Sequence, residues 1–334
     1  MKKLLFVVPK FHEKTGSSLF MLELLRERYE VSKCLYDLID GNDELILNQY
    51  KNKKYDVLVC WQVLLTTAEL KQLNYVRGVL FPMFDACPSV YKTEKWLPYR
   101  NFTVISFSKI LYAKLLKIGL HVYFIKYFPQ TPCFVEWGSK NKIFFWNRRR
   151  NISFPLIESL FSKASIESVH WHCASDPGET IIPPSIKNHW KVKKTGWYQE
   201  KASMLCDIQN AAYYIAPRMR EGIGMSFLEA MGAGRCVVAP NLPTMNEYIQ
   251  HGETGLLYDP SDPQPFSEHD LHKIQKQSRE FCSKGRQDWD SNKNKIFQWL
   301  LIKPRFKHHR LIFWFCIRFF RNPVKCTLAL INLN

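Results

Sequence analysis

Residues 221–234 read EGIGMSFLEAMGAG, and they follow an apolar run, AYYIAP, at 212–217. The run has the length and composition of a buried strand, and MSFLEAMGAG has helical spacing. The turn between them, PRMREGIG, carries Gly222 and Gly224. Glycines there let the chain bend sharply and leave its N–H groups uncovered. The helix N-terminus adds free donors and the positive end of a dipole, a ready site for an anion such as a diphosphate. Glu229 falls one or two turns into the helix, where its carboxylate can accept bonds from two neighbouring hydroxyls. Glu221 stands before the turn, within reach of a sugar beyond the phosphates. One elongated ligand fits this order: sugar, diphosphate, ribose. A solvated helix with one glutamate fits it too, so spacing alone leaves both readings open.

Outward from this stretch the pattern repeats. Strand-like runs stand at KIFFW (142–146), SVHWHC (168–173), WKVKK (190–194) and CVVAP (236–240), with helices expected from Ser153, from Gln199 and over Gly224–Gly232. The first 125 residues show LLFVV (4–8), VLVCW (57–61), GVLFPM (78–83), VISFS (104–108) and HVYFIKY (121–127). Helical patterns begin there at Ser18 and Ser108; Ser108 reads as an N-cap and Gly119 as a stop. Near-continuous apolar strands alternating with helices predict parallel sheets covered on both faces. The segment FPQTPCFVEWGSKN (128–141) reads as a linker. The expected fold class is therefore α/β, with two Rossmann-like, doubly wound domains facing a central cleft where ligands bind. The expected boundaries are 1–130, 131–302, and a basic tail at 303–334. The stretch 266–301 reads as helical and basic, Pro304 as the first residue of a last helix, and Pro323 as its end.

The 334 residues are 46% hydrophobic and 23% charged, a globular composition. The ten cysteines form no C-x-x-C pair, which argues against a zinc site or disulfide framework and for a reducing compartment. The apolar run at 4–8 is too short for a secretory signal, and no stretch reaches the length of a spanning helix. These features predict a cytoplasmic protein. The net charge of +17 calls for an anionic partner, nucleic acid or lipid.

The opening stretch is more specific than its spacing. EGIGMSFLEAMGAGRCVVAPNLPTMNEYIQHGETGLLYD (221–259) resembles the signature of the retaining GT-B glycosyltransferases of family 4, bacterial surface-polysaccharide type. That signature runs E-x7-E, a C-V-V-A strand, an E-x-I helix and a G-x-T-G-L-L turn. IFFWNRRR, TGWYQEKASML and ISFSKILYAKLLKIGL extend the resemblance over most of the chain. It implies a nucleotide-sugar donor, with Glu229 on the ribose and Glu221 at the transferred sugar. The backbone of Gly222, Ile223, Gly224, Met225 and Ser226 then meets the diphosphate. It also implies no cofactor and no required metal.

The family places an arginine after the first strand of the second domain and a lysine five residues later. Arg148 matches the first, and Ser153 stands where the lysine is expected. Arg149 or Arg150 can supply the second cation, and Arg218 or Arg220 can add to it. A leaving diphosphate needs fixed positive charge, whatever its register. In the first domain the family's Gly-Gly turn is reduced to Gly16 in PKFHEKTGSS. Asp85, in FPMFDACP, stands at the carboxyl end of a strand, where it can bind or deprotonate an acceptor hydroxyl or simply cap a turn. His12 is a second acceptor-side candidate. His170, His172 and Cys173 look metal-like but read as structural. Asp288-Trp-Asp290 reads as chance.

On a helix from 303 to 325, Lys303, Lys307, Arg310, Arg318, Arg321 and Lys325 fall within an arc of about 80°, opposite a wide aromatic face. Such a stripe suits an anionic membrane surface, and packing back on the first domain is the other reading. No recognition module points to nucleic acid. The resulting expectation is a transferase at the inner membrane face. It moves a sugar, with retention, to a hydroxyl of a lipid-linked or cell-surface glycan precursor in polysaccharide, O-antigen or lipopolysaccharide synthesis. A soluble-acceptor enzyme and a non-catalytic nucleotide-sugar or glycan-binding subunit stay open.

Overall fold

The structure is a computed structural model that describes residues 1–37, 43–87, 89–90, 92–176, 178–179, 181 and 189–310. The chain divides into two compact units, Met1–Ile125 with Asn292–Asn334, and Lys126–Ser291. The chain returns to the first unit ahead of the boundary at 302 that the sequence suggests.

The first unit runs β1 (Lys2–Pro9), α1 (His12–Thr15), α2 (Leu19–Arg26), β2 (Tyr29–Tyr36), α3 (Asp43–Asn48), β3 (Lys54–Trp61), α4 (Thr67–Gln72), β4 (Asn74–Phe81), β5 (Phe102–Ser106), α5 (Lys109–Lys117) and β6 (His121–Phe124). Its sheet has the order β2-β1-β3-β4-β5-β6 with every neighbouring pair parallel. The five expected strands are present, and β2 is an addition. The helical pattern from Ser18 stops at Arg26, and Tyr29 opens a strand paired with Lys2. Ser108 caps α5 through its hydroxyl, which accepts from the Leu111 N–H, and Gly119 follows with φ +89°.

The second unit runs β7 (Ser139–Trp146), α6 (Phe154–Leu160), β8 (Ser168–His172), β9 (Lys191–Thr195), α7 (Lys201–Gln209), β10 (Ala211–Ile215), α8 (Met225–Gly232), β11 (Cys236–Pro240), α9 (Met245–Tyr248), β12 (Leu256–Tyr258) and α10 (Leu271–Asn292). Its sheet is again parallel, in the order β12-β11-β10-β7-β8-β9. The sequence read GLLY as part of a turn, and three residues of it pair with β11 as the edge strand β12. Strand order reverses between β7 and β10, so the loops after these two strands diverge and leave a crevice at their carboxyl ends.

The core of this unit is pinned by a buried arginine. Arg235 is 0% exposed, and its guanidinium donates to the carbonyls of Ala233, Gln209, Ala211 and Glu136. It ties the linker to the start of β10. Gly138 lies beside it, where a Cβ would fall 2.2 Å from Arg235 Nη1.

After α10 the chain forms α11 (Lys295–Leu301), whose Phe297 stacks on Tyr29. The sequence expects a helix from Pro304, but residues 303–307 are not helical, and helix resumes only at 308. The basic arc therefore does not form over Lys303–Lys307. The expectations for Arg318, Arg321, Pro323 and Lys325, and for the aromatic face from 311 onward, lie outside the described residues. Among the described residues no helix is long and apolar enough to cross a membrane.

Candidate functional site

Three of the arginines singled out in the second half of the chain meet at the carboxyl ends of β7 and β10. Arg148 and Arg149 follow β7, and Arg218 and Glu221 lie in the loop after β10. From the loop after β8 comes Asp176, which the sequence reading missed. Its Oδ1 lies 2.5 Å from Arg148 Nε, and its Oδ2 lies 2.7 Å from Arg149 Nε and 2.8 Å from Arg218 Nη2. Arg149 Nη1 also reaches Glu179 at 2.7 Å. Burial opposes ionisation of Asp176, but the guanidiniums of Arg148 and Arg218 outweigh it and hold the carboxyl below its ordinary value. A guanidinium has five donors, so one carboxylate contact leaves others for a phosphate. The three arginines are thus gathered and oriented around one carboxylate. Of the candidates for a second cation, Arg149 and Arg218 join Arg148. Ser153 is the N-cap residue of α6, with no side-chain bond to the helix.

The turn before α8 has the geometry that the glycines imply, and the strain falls on one of them. Gly224 is the N-cap residue, in the left-handed region at φ +85°. A Cβ there would fall 1.9 Å from the Phe227 ring. Gly222 is buried and is not among the positive-φ residues. No side chain caps α8 and no acid stands in its first turn. Its leading N–H groups beside Ile223, Met225 and Ser226 therefore carry the positive dipole end without a built-in anion.

Glu229 is 8% exposed on α8 and accepts a hydrogen bond from the Lys201 ammonium at the start of α7. Burial raises the pKa of this carboxyl, and Lys201 offsets part of the rise. Lys201 also escaped the sequence reading, although it lies in the quoted TGWYQEKASML. Glu221 is equally buried, and Thr244 Oγ1 donates to its backbone carbonyl at 2.7 Å.

His170 and His172 share one face of β8, as the alternation predicts. His170 Nε2 lies 2.9 Å from Thr195 Oγ1 and 3.1 Å from Tyr198 OH, which donates to Asp207 at 2.7 Å. His172 Nδ1 lies 3.2 Å from Thr195 Oγ1. Burial lowers both histidines from 6.5 to about 4. The network fixes the segment 195–198, whose Trp197 remains 43% exposed. Among the described residues no group of His, Cys, Asp and Glu is arranged to hold a metal ion. Asp290 pairs with Arg286 one turn away on α10 at 2.7 Å.

Asp85 belongs to the first unit, half-buried in the loop after β4. His12 opens α1 after β1 and is 4% exposed, with Nε2 3.0 Å from Gln62 Oε1. Burial lowers its pKa to about 4, so it is neutral at pH 7. It follows β1 as Gln62 follows the neighbouring β3.

Comparison with known proteins agrees with this architecture. Residues 157–274 match the family described as glycosyl transferases group 1. A 68-residue stretch is 37% identical to the O-antigen chain mannosyltransferase B of Escherichia coli, covering 20% of this chain and 17% of that protein. The structure is similar to sucrose-phosphate synthase from Thermosynechococcus elongatus, with TM-score 0.61 and 11% identity over 89% of this chain and 98% of that one. It is also similar to Anabaena HepE in complex with UDP and glucose, with TM-score 0.54 and 12% identity over 88% of this chain and all (100%) of that one. The chain has the GT-B fold, and its glycosyl transferases group 1 match falls on the unit that holds the arginine cluster, Gly224 and Glu229.

Proposed function

We propose that this protein is a glycosyltransferase that takes a sugar from a nucleoside-diphosphate-sugar donor. The observation that carries the reading is the crevice between β7 and β10. It places an uncapped, glycine-turned helix N-terminus on the same loop as one of three converging arginines, with the buried Glu229 on that helix. The leaving diphosphate gathers negative charge as the glycosidic bond breaks. Arg148, Arg149 and the N–H groups at Gly224–Ser226 stabilise that charge without rearrangement. Glu229 takes the ribose hydroxyls, with Lys201 holding its carboxylate in place. Glu221 lies toward the transferred sugar, and Asp85 serves the acceptor hydroxyl. Because the arginines and backbone supply the positive charge, the reaction is proposed to need no metal. Retention at the anomeric carbon follows from the family resemblance.

The acceptor is proposed to be a lipid-linked or cell-surface glycan precursor, at the inner face of an anionic membrane. The match to the O-antigen mannosyltransferase supports this class, as does the charge of the chain. The test is incubation of the purified protein with membrane lipid extract and radiolabelled nucleotide-sugars. Label should enter the lipid-linked fraction from one donor, with the anomeric configuration kept by NMR. Donor binding without turnover on lipid or soluble acceptors would favour the binding-subunit reading.

A further inference from the structure

The net charge of +17 is unequally shared. Residues 1–125 with 292–334 carry +15, and residues 126–291 carry +2. Within the first unit, two segments that lack any Asp or Glu pack together: 109–121 and 292–310. On the first, Lys114 and Lys117 are exposed toward the end of α5. On the second, Lys303–Lys307 forms a strap with a period of two. Lys303, Arg305 and Lys307 are exposed, while Pro304 and Phe306 are half-buried between them. Phe306 packs against the apolar core. The Lys307 N–H donates to the Gly119 carbonyl at 2.9 Å. At Gly119, φ is +89° and a Cβ would fall 2.6 Å from the Lys307 carbonyl oxygen, so glycine is what permits the close approach. The Arg310 guanidinium reaches the Leu116 carbonyl at 3.5 Å. The strap is therefore fixed across the end of α5 and the start of β6, with Lys303, Arg305 and Lys307 exposed along it.

Like charges concentrated on one unit repel one another, and an anionic surface relieves the repulsion. We propose that the strap and the end of α5 form the face by which the first unit docks on an anionic lipid bilayer. This deepens the membrane part of the reading above and rests on it. It assigns docking to fixed residues at the amino end of β6. The residues that serve the acceptor in that reading follow β1 and β4 at the opposite, carboxyl end of the parallel sheet. The choice of a bilayer over a nucleic acid rests on the sequence that continues from the strap. LIFWFCIRFF (311–320) has no acidic residue and is mostly apolar and aromatic, a composition suited to the headgroup–acyl boundary.

The test is flotation of the full chain with phosphatidylcholine vesicles with and without phosphatidylglycerol, at low and high salt. The chain should float with the anionic vesicles only and be released by salt. The triple variant Lys303→Glu, Arg305→Glu, Lys307→Glu should lose about a hundredfold or more in partitioning, since each basic residue contributes roughly fivefold and reversal of its charge adds to the loss. The matched triple Lys273→Glu, Lys276→Glu, Lys284→Glu, exposed on α10, should bind as the wild type does. Equal loss in both triples, or none in the first, overturns the assignment, as does binding to duplex DNA without flotation. Nucleotide-induced thermal shift, run on the same variants, reports the donor site separately. Its failure with flotation intact removes the transferase reading and leaves this one standing.

Discussion

Arg148 Nε lies 2.5 Å from Asp176 Oδ1, and the two residues come from the loops after neighbouring parallel strands. Arg149 and Arg218 share the same carboxylate. Removing it with Asp176→Ala leaves three partly buried guanidiniums without their common partner. The expected cost is about 1–3 kcal/mol in urea unfolding, reduced from the fully buried case because water reaches the cluster. Asp176→Asn should cost less, and a double-mutant cycle with Arg148→Ala should show the two effects to be non-additive.

Gly224→Ala should be among the most damaging single-methyl changes in the chain. The added Cβ meets the Phe227 ring at 1.9 Å, and φ of +85° disfavours alanine besides. Loss of at least about 2 kcal/mol of stability is expected. Gly224→Ala with Phe227→Leu should recover part of that loss, because the clash is eased while the backbone strain stays.

His170 and His172 give the fold an acid sensitivity of defined sign. Their folded values lie near 4 and their ordinary value is 6.5, so the unfolded chain takes up protons first. Stability should be full above pH 6.5, fall between pH 6.5 and 4, and fall no further from this source below that. The drop is of the order of a few kcal/mol for the pair. The double variant His170→Gln, His172→Gln should flatten the Tm-against-pH curve in that window. An unchanged curve would place the acid sensitivity elsewhere.

Arg235 is fully buried and donates to four backbone carbonyls. Arg235→Met keeps much of the volume and strips the donors, leaving carbonyls unsatisfied around the start of β10. A loss of about 3 kcal/mol or more is expected by chemical denaturation. Arg235→Lys should rescue little, because one ammonium cannot reach the positions a planar fork spans.

The inner strands were legible because both sheets are parallel and buried on two faces there, which forces apolar runs such as CVVAP and VLVCW. Gly224 was legible because the left-handed turn excludes other side chains. Strand β2 was not, since YEVSKCLY mixes charged and apolar residues at a sheet edge and follows directly on a helical period. Asp176 was hidden in SDPG, which reads as an ordinary turn, and it gains meaning only from where the loops after β7, β8 and β10 meet. Lys201 was hidden for the same reason: a helix-opening lysine is solvated unless the fold brings a buried glutamate to it. The extended strap at 303–307 was misread because its alternation of basic and apolar residues over five positions also fits part of a helical arc.

A thermal-shift titration with nucleoside diphosphates on wild type and Glu229→Gln decides whether the loop and helix at 221–229 bind a nucleotide. One nucleoside diphosphate should raise Tm in the wild type. The rise should be several degrees at saturation. Glu229→Gln, folded to at least the wild-type Tm without ligand, should lose most of that rise. No shift with any nucleoside diphosphate in the folded wild type, or the same shift in both proteins, would contradict the proposed donor site.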